Sequence, residues 1–439
     1  MLFEEKLKSF YFVGIGGVSM SALARLLAGR GYSVRGSDMQ KSNFTEELER
    51  EGISVHIGES EKITEDVVVY TGAIEKSNPQ ILQAKREKKR LIPRAELLGE
   101  VASSFPHVVS VAGCHGKTST TSMLAHIFLC TDKKFTCHIG GEDLTLGNYR
   151  STGGDYFLTE ACEFQRSFLS LWSEIAVILN TDLDHTDCYK NEDEVFEAYS
   201  EFAAQAEKLV VNADDVRART LPHAMSFGLY GGDIRAEKLH SVGEKYSFTV
   251  VEKDIPLVRV KLQCVGKVMV YDALAAFAVS RLLGFSAEEI KRGLESFQGV
   301  GRRFESVGTI GGIPVVCDYA HHPREIAAVF ATAQNICSGT VRLVFQPHTY
   351  TRTRDFMEDF VSVLKAAENP IIYKTYAARE PFEAAGSAFT LVSRLPEAIY
   401  AQSPEQLKKR LLEMLEKDDL ILVLGAGDIF NIVKVILDN

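Results

Sequence analysis

Gly113-Cys-His-Gly-Lys-Thr118 packs into six positions the residue types that grip a phosphate. Glycines let a backbone turn tightly enough to aim several N–H groups at one cluster of oxygens. Lys117 brings a full positive charge, Thr118 a hydroxyl suited to magnesium, and a helix starting there a favourable dipole. The spacing G-x-x-G-K-T is shorter than the general G-x-x-x-x-G-K-[ST], because position 111 is valine. An ordinary strand-to-helix turn has no need of glycine, lysine and threonine together, so phosphate binding is the expectation.

A second glycine turn, Gly14-Ile-Gly16-Gly17-Val-Ser19, has the spacing of a dinucleotide fingerprint, with Ser19 in place of its third glycine. Asp38 ends the next apolar run, where an acidic residue would meet a ribose hydroxyl. Close helix–strand packing alone produces a similar pattern, and a nicotinamide-dependent oxidoreductase is a rival reading. The phosphate loop at Gly113 counts against that rival, since a simple dehydrogenase does not need one.

Further polar groups fall where apolar runs stop: Glu160, Asn180–His185, Asp318–Pro323, Gln346–Arg354 and Gly425–Asp428. Glu160 and Thr118 offer the hard oxygens that Mg²⁺ prefers; His185 is a less usual ligand for it. Arg352 suits a bidentate grip on a carboxylate, such as that of an amino acid. Arg303, within Gly299-Val-Gly-Arg-Arg-Phe304, sits at a hinge, where it either reaches nucleotide phosphates or stitches two units together.

The elements that must position these groups read as α/β. Short β-rich runs (Phe10–Val13, Ser33–Gly36, Val67–Tyr70, Val108–Ala112, Tyr156–Thr159, Ala176–Leu179, Ile313–Cys317, Arg342–Phe345, Pro370–Tyr373, Leu420–Leu424) alternate with amphipathic stretches such as Met20–Gly29 and Thr118–Phe128. Three segments result, 1–103, 104–304 and 305–439. In open α/β sheets ligands bind beyond the carboxyl ends of strands, so the polar groups predict one shared cleft.

Composition sets the outer limits. A chain of 439 residues is too long for one ordinary core. A net charge of −10 argues against a nucleic-acid partner. No apolar run is long enough to span a bilayer, and the charged start has no signal-peptide pattern, so no membrane partner is expected. The eight cysteines form no C-x-x-C pair and read as free thiols of a cytoplasmic protein.

Taken in order, GIGGVSMSALA, GCHGKTST, EACEFQRSFL, NTDLDH, GVGRRFE, DYAHHPREI, FQPHTYTRTR and GAGDIF resemble the Mur ligase family along essentially the whole chain. The combination of the first, DYAHHP and QPHTYTRT is similar to the branch that acts on UDP-N-acetylmuramate. The resemblance implies a Rossmann-like UDP-sugar domain, a central P-loop ATPase-like domain and a Rossmann-like amino-acid domain. It implies an ATP-dependent, ADP-forming ligase that joins L-alanine to the lactyl carboxylate of UDP-N-acetylmuramate through an acyl phosphate. The setting would be cytoplasmic peptidoglycan precursor synthesis, and hence cell wall biogenesis, cell shape, cell cycle and cell division. A ligase that attaches a preformed peptide to the same sugar nucleotide, and a non-catalytic UDP-sugar-binding homologue, stay open beside it, and a homodimer is compatible with the sequence.

By the same resemblance, Gly14, Gly16, Gly17 and Ser19 would meet the UDP-sugar diphosphate and Asp38 its nucleoside end. Gly113, Cys114, His115, Gly116, Lys117, Thr118 and Ser119, with Arg303 and Asp318, would hold ATP. Thr118, Glu160 and His185 would hold Mg²⁺, and His348 and Arg352 would bind L-alanine. Lys117, Glu160, His185 and His348 make the catalytic set, His348 being the candidate base for the incoming amine. Other members carry a carbamylated lysine in the neighbourhood of Ser200; this chain has no lysine between 191 and 206. The family's adenine-side H-N-x-x-N-A stands here as Val268-Met-Val-Tyr-Asp272-Ala, Cys114 replaces a usual threonine and Thr349 a frequent arginine. Val268 and Met269 are therefore not counted among the site residues.

Overall fold

The computed structural model describes residues 9–58, 62–72, 74–75, 77–184, 188–378 and 380–438. They form three sheets, of five, ten and six strands. The first runs Ser54–Ile57, Ser33–Asp38, Ser9–Val13, Val67–Tyr70, Arg90–Pro93, all parallel. Its central strand is apolar on both faces, as helix-covered parallel strands must be.

In the second sheet His107–Ala112 lies between Ser173–Ile178 and Tyr156–Ala161, parallel to both. The chain leaves this strand into Gly113–Gly116 and enters the helix Lys117–Leu129. The far side of the sheet is an antiparallel meander of Ile234–Val242, Lys245–Glu252 and Ile255–Val265, which the sequence reading did not resolve into strands. Its pattern explains why: Leu257–Leu262 alternates inward and outward residues, as a sheet with one wet face does, instead of forming a continuous apolar run.

The third sheet runs Glu305–Ile310, Ile313–Asp318, Leu420–Leu424, Val341–Phe345, Ile371–Tyr373, Ile399–Ala401, parallel except for its first strand. The expected strands and helices fall within a few residues of the observed ones; helix Met20–Gly29 begins at Val18, and Thr118–Phe128 spans Lys117–Leu129.

The three units are joined in two different ways. Phe10, Leu23 and Val101 of the first share one apolar cluster with Val108, Phe157 and Phe202 of the second. The third keeps its own cores and meets the second through charged and polar side chains. Polar interfaces of that kind let domains move relative to one another.

Candidate functional site

The phosphate loop depends on its glycines. Gly113 and Gly116 have φ of +143° and +85°. A Cβ on Gly116 would stand 2.4 Å from Asp272 Oδ1. Asn180, just past the neighbouring strand, clamps the loop crest: its Oδ1 accepts the His115 N–H and its Nδ2 donates to the His115 carbonyl, both at 3.0 Å. Helix Lys117–Leu129 begins at this crest with no side-chain cap on its N-terminus, which is how an anion-binding helix end is built.

Lys117 donates to both oxygens of Glu163, at 2.9 and 3.2 Å, and to the carbonyls of Gly113 and Cys114. Burial alone would depress the ammonium, but Glu163 outweighs it and raises the pKa, so Lys117 is charged at any working pH. Burial pushes the Cys114 thiol up to about 12, which makes it an inert wall residue. Ser119 lines the space above the loop.

Glu160, one residue before the end of its strand, accepts the Gly140 N–H, and Thr118 lies beside the same carboxyl. Burial raises the Glu160 pKa, against the pull of that amide and of Lys117. A divalent cation would stabilise the charged form that burial disfavours. His185, the third expected ligand, lies outside the described residues. Among the described residues no group of three or more His, Cys, Asp or Glu is arranged to hold a metal. A magnesium that keeps waters and phosphate oxygens needs only one or two protein oxygens, so Thr118 and Glu160 fit it.

Glu325, at the start of helix Pro323–Ile336, is the hub between second and third units. It meets His115 Nδ1 at 2.9 Å, accepts the N–H groups of His321 and His322, and lies 3.7 Å from Arg303. Burial would raise this carboxylate, yet His115 and His321 hold it well below the usual range. Burial likewise opposes a charged His115, whose pKa is nevertheless raised well above the histidine range by Cys114, Glu325 and Asp182. The Cys114 thiol is itself neutral, so the carboxylates carry the effect. Asp182 adds an ion pair to Arg324, and Asp184 Oδ1 accepts from Arg352 Nε and Nη2 at 3.1 and 2.8 Å. Asp318 accepts the Phe304 and Ala320 N–H groups and so fastens the hinge.

A cavity of about 440 Å³ opens between the phosphate loop, helix Val268–Leu282 and helix Pro323–Ile336. Its lining is mixed, with polar Asp272, Arg303 and Asp318 and apolar Val268, Met269 and Val329. The two residues left out of the expected site therefore line it.

Beside this cavity, His348 Nδ1 lies 3.2 Å from Arg352 Nη1, and its ring stacks on Tyr376. Burial, then His321 and Arg352, pull the His348 pKa down to about 3. So weak a base suits a hydrogen-bonding partner of Arg352 better than a proton acceptor.

The N-terminal turn is put together differently. Gly16 donates its N–H to Asp38 Oδ2 at 2.9 Å, and Gly17 donates to the Gly14 carbonyl. Ser19 Oγ lies 2.8 Å from His138 Nε2 and accepts from Arg94, which ties this turn to the second sheet. Sequence reasoning had no signal for His138 or Arg94. Glu163 and Glu325 stood inside quoted motifs, but only their partners in space reveal them.

Family models match in three consecutive stretches: the Mur ligase family catalytic domain over residues 9–106, the Mur ligase middle domain over 111–280, and the Mur ligase glutamate ligase domain over 302–427. The chain belongs to the Mur ligase family. It is 39% identical to the UDP-N-acetylmuramate–L-alanine ligase of Clostridium acetobutylicum and 37% to that of Clostridium perfringens, each over 98% of both chains. The crystal structure of UDP-N-acetylmuramate–alanine ligase MurC from Thermotoga maritima superposes with a TM-score of 0.85 at 26% identity, covering 98% of each chain. The three sheets are thus those of a three-domain Mur ligase, with the glycine loop of the middle domain facing the hinge to the third.

Proposed function

We propose that this Mur ligase joins L-alanine to the lactyl carboxylate of UDP-N-acetylmuramate while cleaving ATP to ADP and phosphate, in peptidoglycan precursor synthesis. The observation that carries the reading is convergence. The crest of the phosphate loop, His115 and Gly116, lines one cavity with Arg303, Asp318 and Glu325, and the Arg352–His348 pair is tied to the same domain junction through Asp184 and His321. Identity of 36–39% to relatives that carry this activity supports the choice of substrates. In this reading residues 1–103 hold the UDP-sugar, 104–304 the ATP and 305–439 the amino acid.

The lactyl carboxylate attacks the γ-phosphorus, the bond to ADP breaks, and an acyl phosphate forms. The amine of L-alanine then adds to the acyl carbon, and the tetrahedral adduct expels phosphate. Lys117, already charged, faces the transferring phosphoryl group, and the free amides of the helix start share its negative charge. Mg²⁺, held by Thr118 and Glu160, would supply further charge neutralisation there. Arg352 already grips one carboxylate, that of Asp184; the carboxylate of L-alanine is the ligand it would take in exchange. Closure of the third domain keeps water from the acyl phosphate.

The deciding assay is phosphate release from MgATP with UDP-N-acetylmuramate, with and without L-alanine, and with an L-Ala-D-Glu-containing peptide in its place. Release that requires UDP-N-acetylmuramate and L-alanine together is expected. Preference for the peptide would make this the recycling type of ligase, and no release from folded protein would sink the catalytic reading.

A further inference from the structure

One face of helix Pro323–Ile336 runs along the cavity. Glu325, Ala328, Thr332 and Asn335 recur at steps of three and four residues, and all of them line it. Glu325 marks the phosphate-loop end, its carboxylate 2.9 Å from His115 Nδ1. Asn335 follows three helical turns later, about 15 Å further along the axis. A nucleoside diphosphate laid on this face with its phosphates at the loop brings its base to Asn335.

Most of that far end has nothing with which to read a base. Val268 and Met269 are apolar. A Cβ on Gly266 would stand 3.8 Å from Val268 Cγ1 and 3.9 Å from Thr332 Oγ1, which places the three together. Thr332 gives its hydroxyl proton to the Ala328 carbonyl of its own helix. Lys267 donates to the Tyr230 hydroxyl at 3.3 Å, with its ammonium over that ring.

One polar pair is left, and it spans the junction between the second and third units. Glu244 stands in the turn between strands Ile234–Val242 and Lys245–Glu252, and it lines the cavity opposite Asn335. Asn335 Nδ2 donates to Glu244 Oε1 at 3.4 Å, longer than a well-formed hydrogen bond. The Tyr246 hydroxyl donates to Oε2 at 2.9 Å and so fixes the carboxylate. The Gly266 N–H donates to the Glu244 main-chain carbonyl at 2.9 Å, a tie that survives any change of the side chain. Oε1 is thus an oriented acceptor whose partner is easily displaced.

We propose that Glu244 and Asn335 read the nucleobase and select adenine by its exocyclic amine. The amine donates to Glu244 Oε1, and Asn335 Nδ2 turns from Glu244 to the ring nitrogen beside that amine. Carboxylates and carboxamides distinguish bases by this donor–acceptor match. A base with an oxo group in place of the amine sets acceptor against acceptor, and loses about tenfold to a hundredfold in affinity. The inference rests on the reading of the cavity as the nucleotide site.

The test is calorimetric binding of MgADP and of MgIDP, whose base carries an oxo group where adenine carries the amine. The full chain is compared with Glu244→Gln and Asn335→Ala, each checked for an unchanged thermal transition. The wild type is expected to prefer MgADP at least tenfold. Glu244→Gln can accept from an amine or donate to an oxo group, so its preference should fall below about threefold, with MgIDP binding tighter than in the wild type. Asn335→Ala should bind MgADP about tenfold more weakly. Lost packing alone would weaken both diphosphates alike and leave their ratio unmoved. Equal binding of both by the wild type, a ratio unchanged in Glu244→Gln, or full MgADP affinity in Asn335→Ala overturns the inference. Absence of binding of either diphosphate by the wild type instead overturns the nucleotide reading of the cavity.

Discussion

The two glycine turns look alike in sequence, yet they differ in charge. Both link a buried parallel strand to a helix, and both need left-handed glycines. At Gly14–Gly17 the nearest ionic group is a carboxylate, Asp38, which takes up the Gly16 amide. At Gly113–Gly116 it is an ammonium, Lys117, held over the loop by Glu163 while the helix amides stay uncapped. The first turn spends its Gly16 amide on a carboxylate; the second gives its His115 amide to Asn180 but leaves the helix start uncapped and adds a cation. Glycine spacing therefore reports the shape of a turn, and the charge beside it reports the work.

Removing that cation is the severest way to break the contrast. Lys117→Ala should lower kcat for phosphate release on the order of 10²–10³-fold, the scale of losing one charge-stabilising donor. It also removes the ammonium that Glu163 meets in a buried ion pair, at a cost in unfolding free energy of about 3 kcal/mol. In the double variant Lys117→Ala, Glu163→Gln, stability should return while activity does not. If activity returned as well, Lys117 would act on the fold alone.

Matched alanine substitutions sharpen the comparison at the next scale. Gly116→Ala meets both a positive φ and a clash with Asp272 Oδ1, whereas a Cβ on Gly14 finds nothing nearer than Ile74 at 3.7 Å. Gly14→Ala should cost about 1–2 kcal/mol of stability for its left-handed backbone and leave nucleotide binding intact. Gly116→Ala should lose MgADP binding at least tenfold beyond any loss of stability. Equal behaviour of the two would show that backbone strain alone sets the effect.

The turns also differ in how they are tied to the rest of the molecule. Ser19 is fixed to His138 across a shared apolar core, whereas His115 reaches the third unit through Glu325. The lowered pKa of Glu325 stabilises the fold above the ordinary glutamate value near 4.3 and is lost as pH falls through its folded pKa. The raised pKa of His115 stabilises below the ordinary histidine value near 6.5 and is lost as pH rises through its folded pKa. Wild type should therefore exceed Glu325→Gln in thermal stability most between about pH 4.5 and 6.5, the gap closing on either side. A gap independent of pH would mean that Glu325 acts as a helix cap only.

The sequence carried much of this because strand ends carry the polar groups. Gly113–Thr118, Asn180, Asp318 and Gln346 were legible as positions where apolar runs stop, and in a parallel sheet such positions share one edge. What was not legible was pairing between units far apart in the chain. That Arg352 grips Asp184 and that His138 meets Ser19 depends on how three sheets are docked, and that Glu163 holds Lys117 on which strands lie side by side in one sheet; no local pattern encodes either. Val268 and Met269 failed for the opposite reason: apolar residues read as core whether they face other side chains or a cavity.

The mildest test returns to the first turn. Asp38 accepts the Gly16 amide through Oδ2 and the Gln40 amide at 3.2 Å through Oδ1. Asp38→Asn keeps one acceptor and removes the charge, so stability should fall by about 1 kcal/mol. If Asp38 meets the nucleoside end of the UDP-sugar, as the family pattern implies, KM for UDP-N-acetylmuramate should rise by less than tenfold, with kcat and the KM for ATP unchanged. A fall in that KM would reverse the reading. The carboxylate would then be repelling a diphosphate seated directly on Gly16, and the two turns would be doing the same work with the first restrained by its own acid.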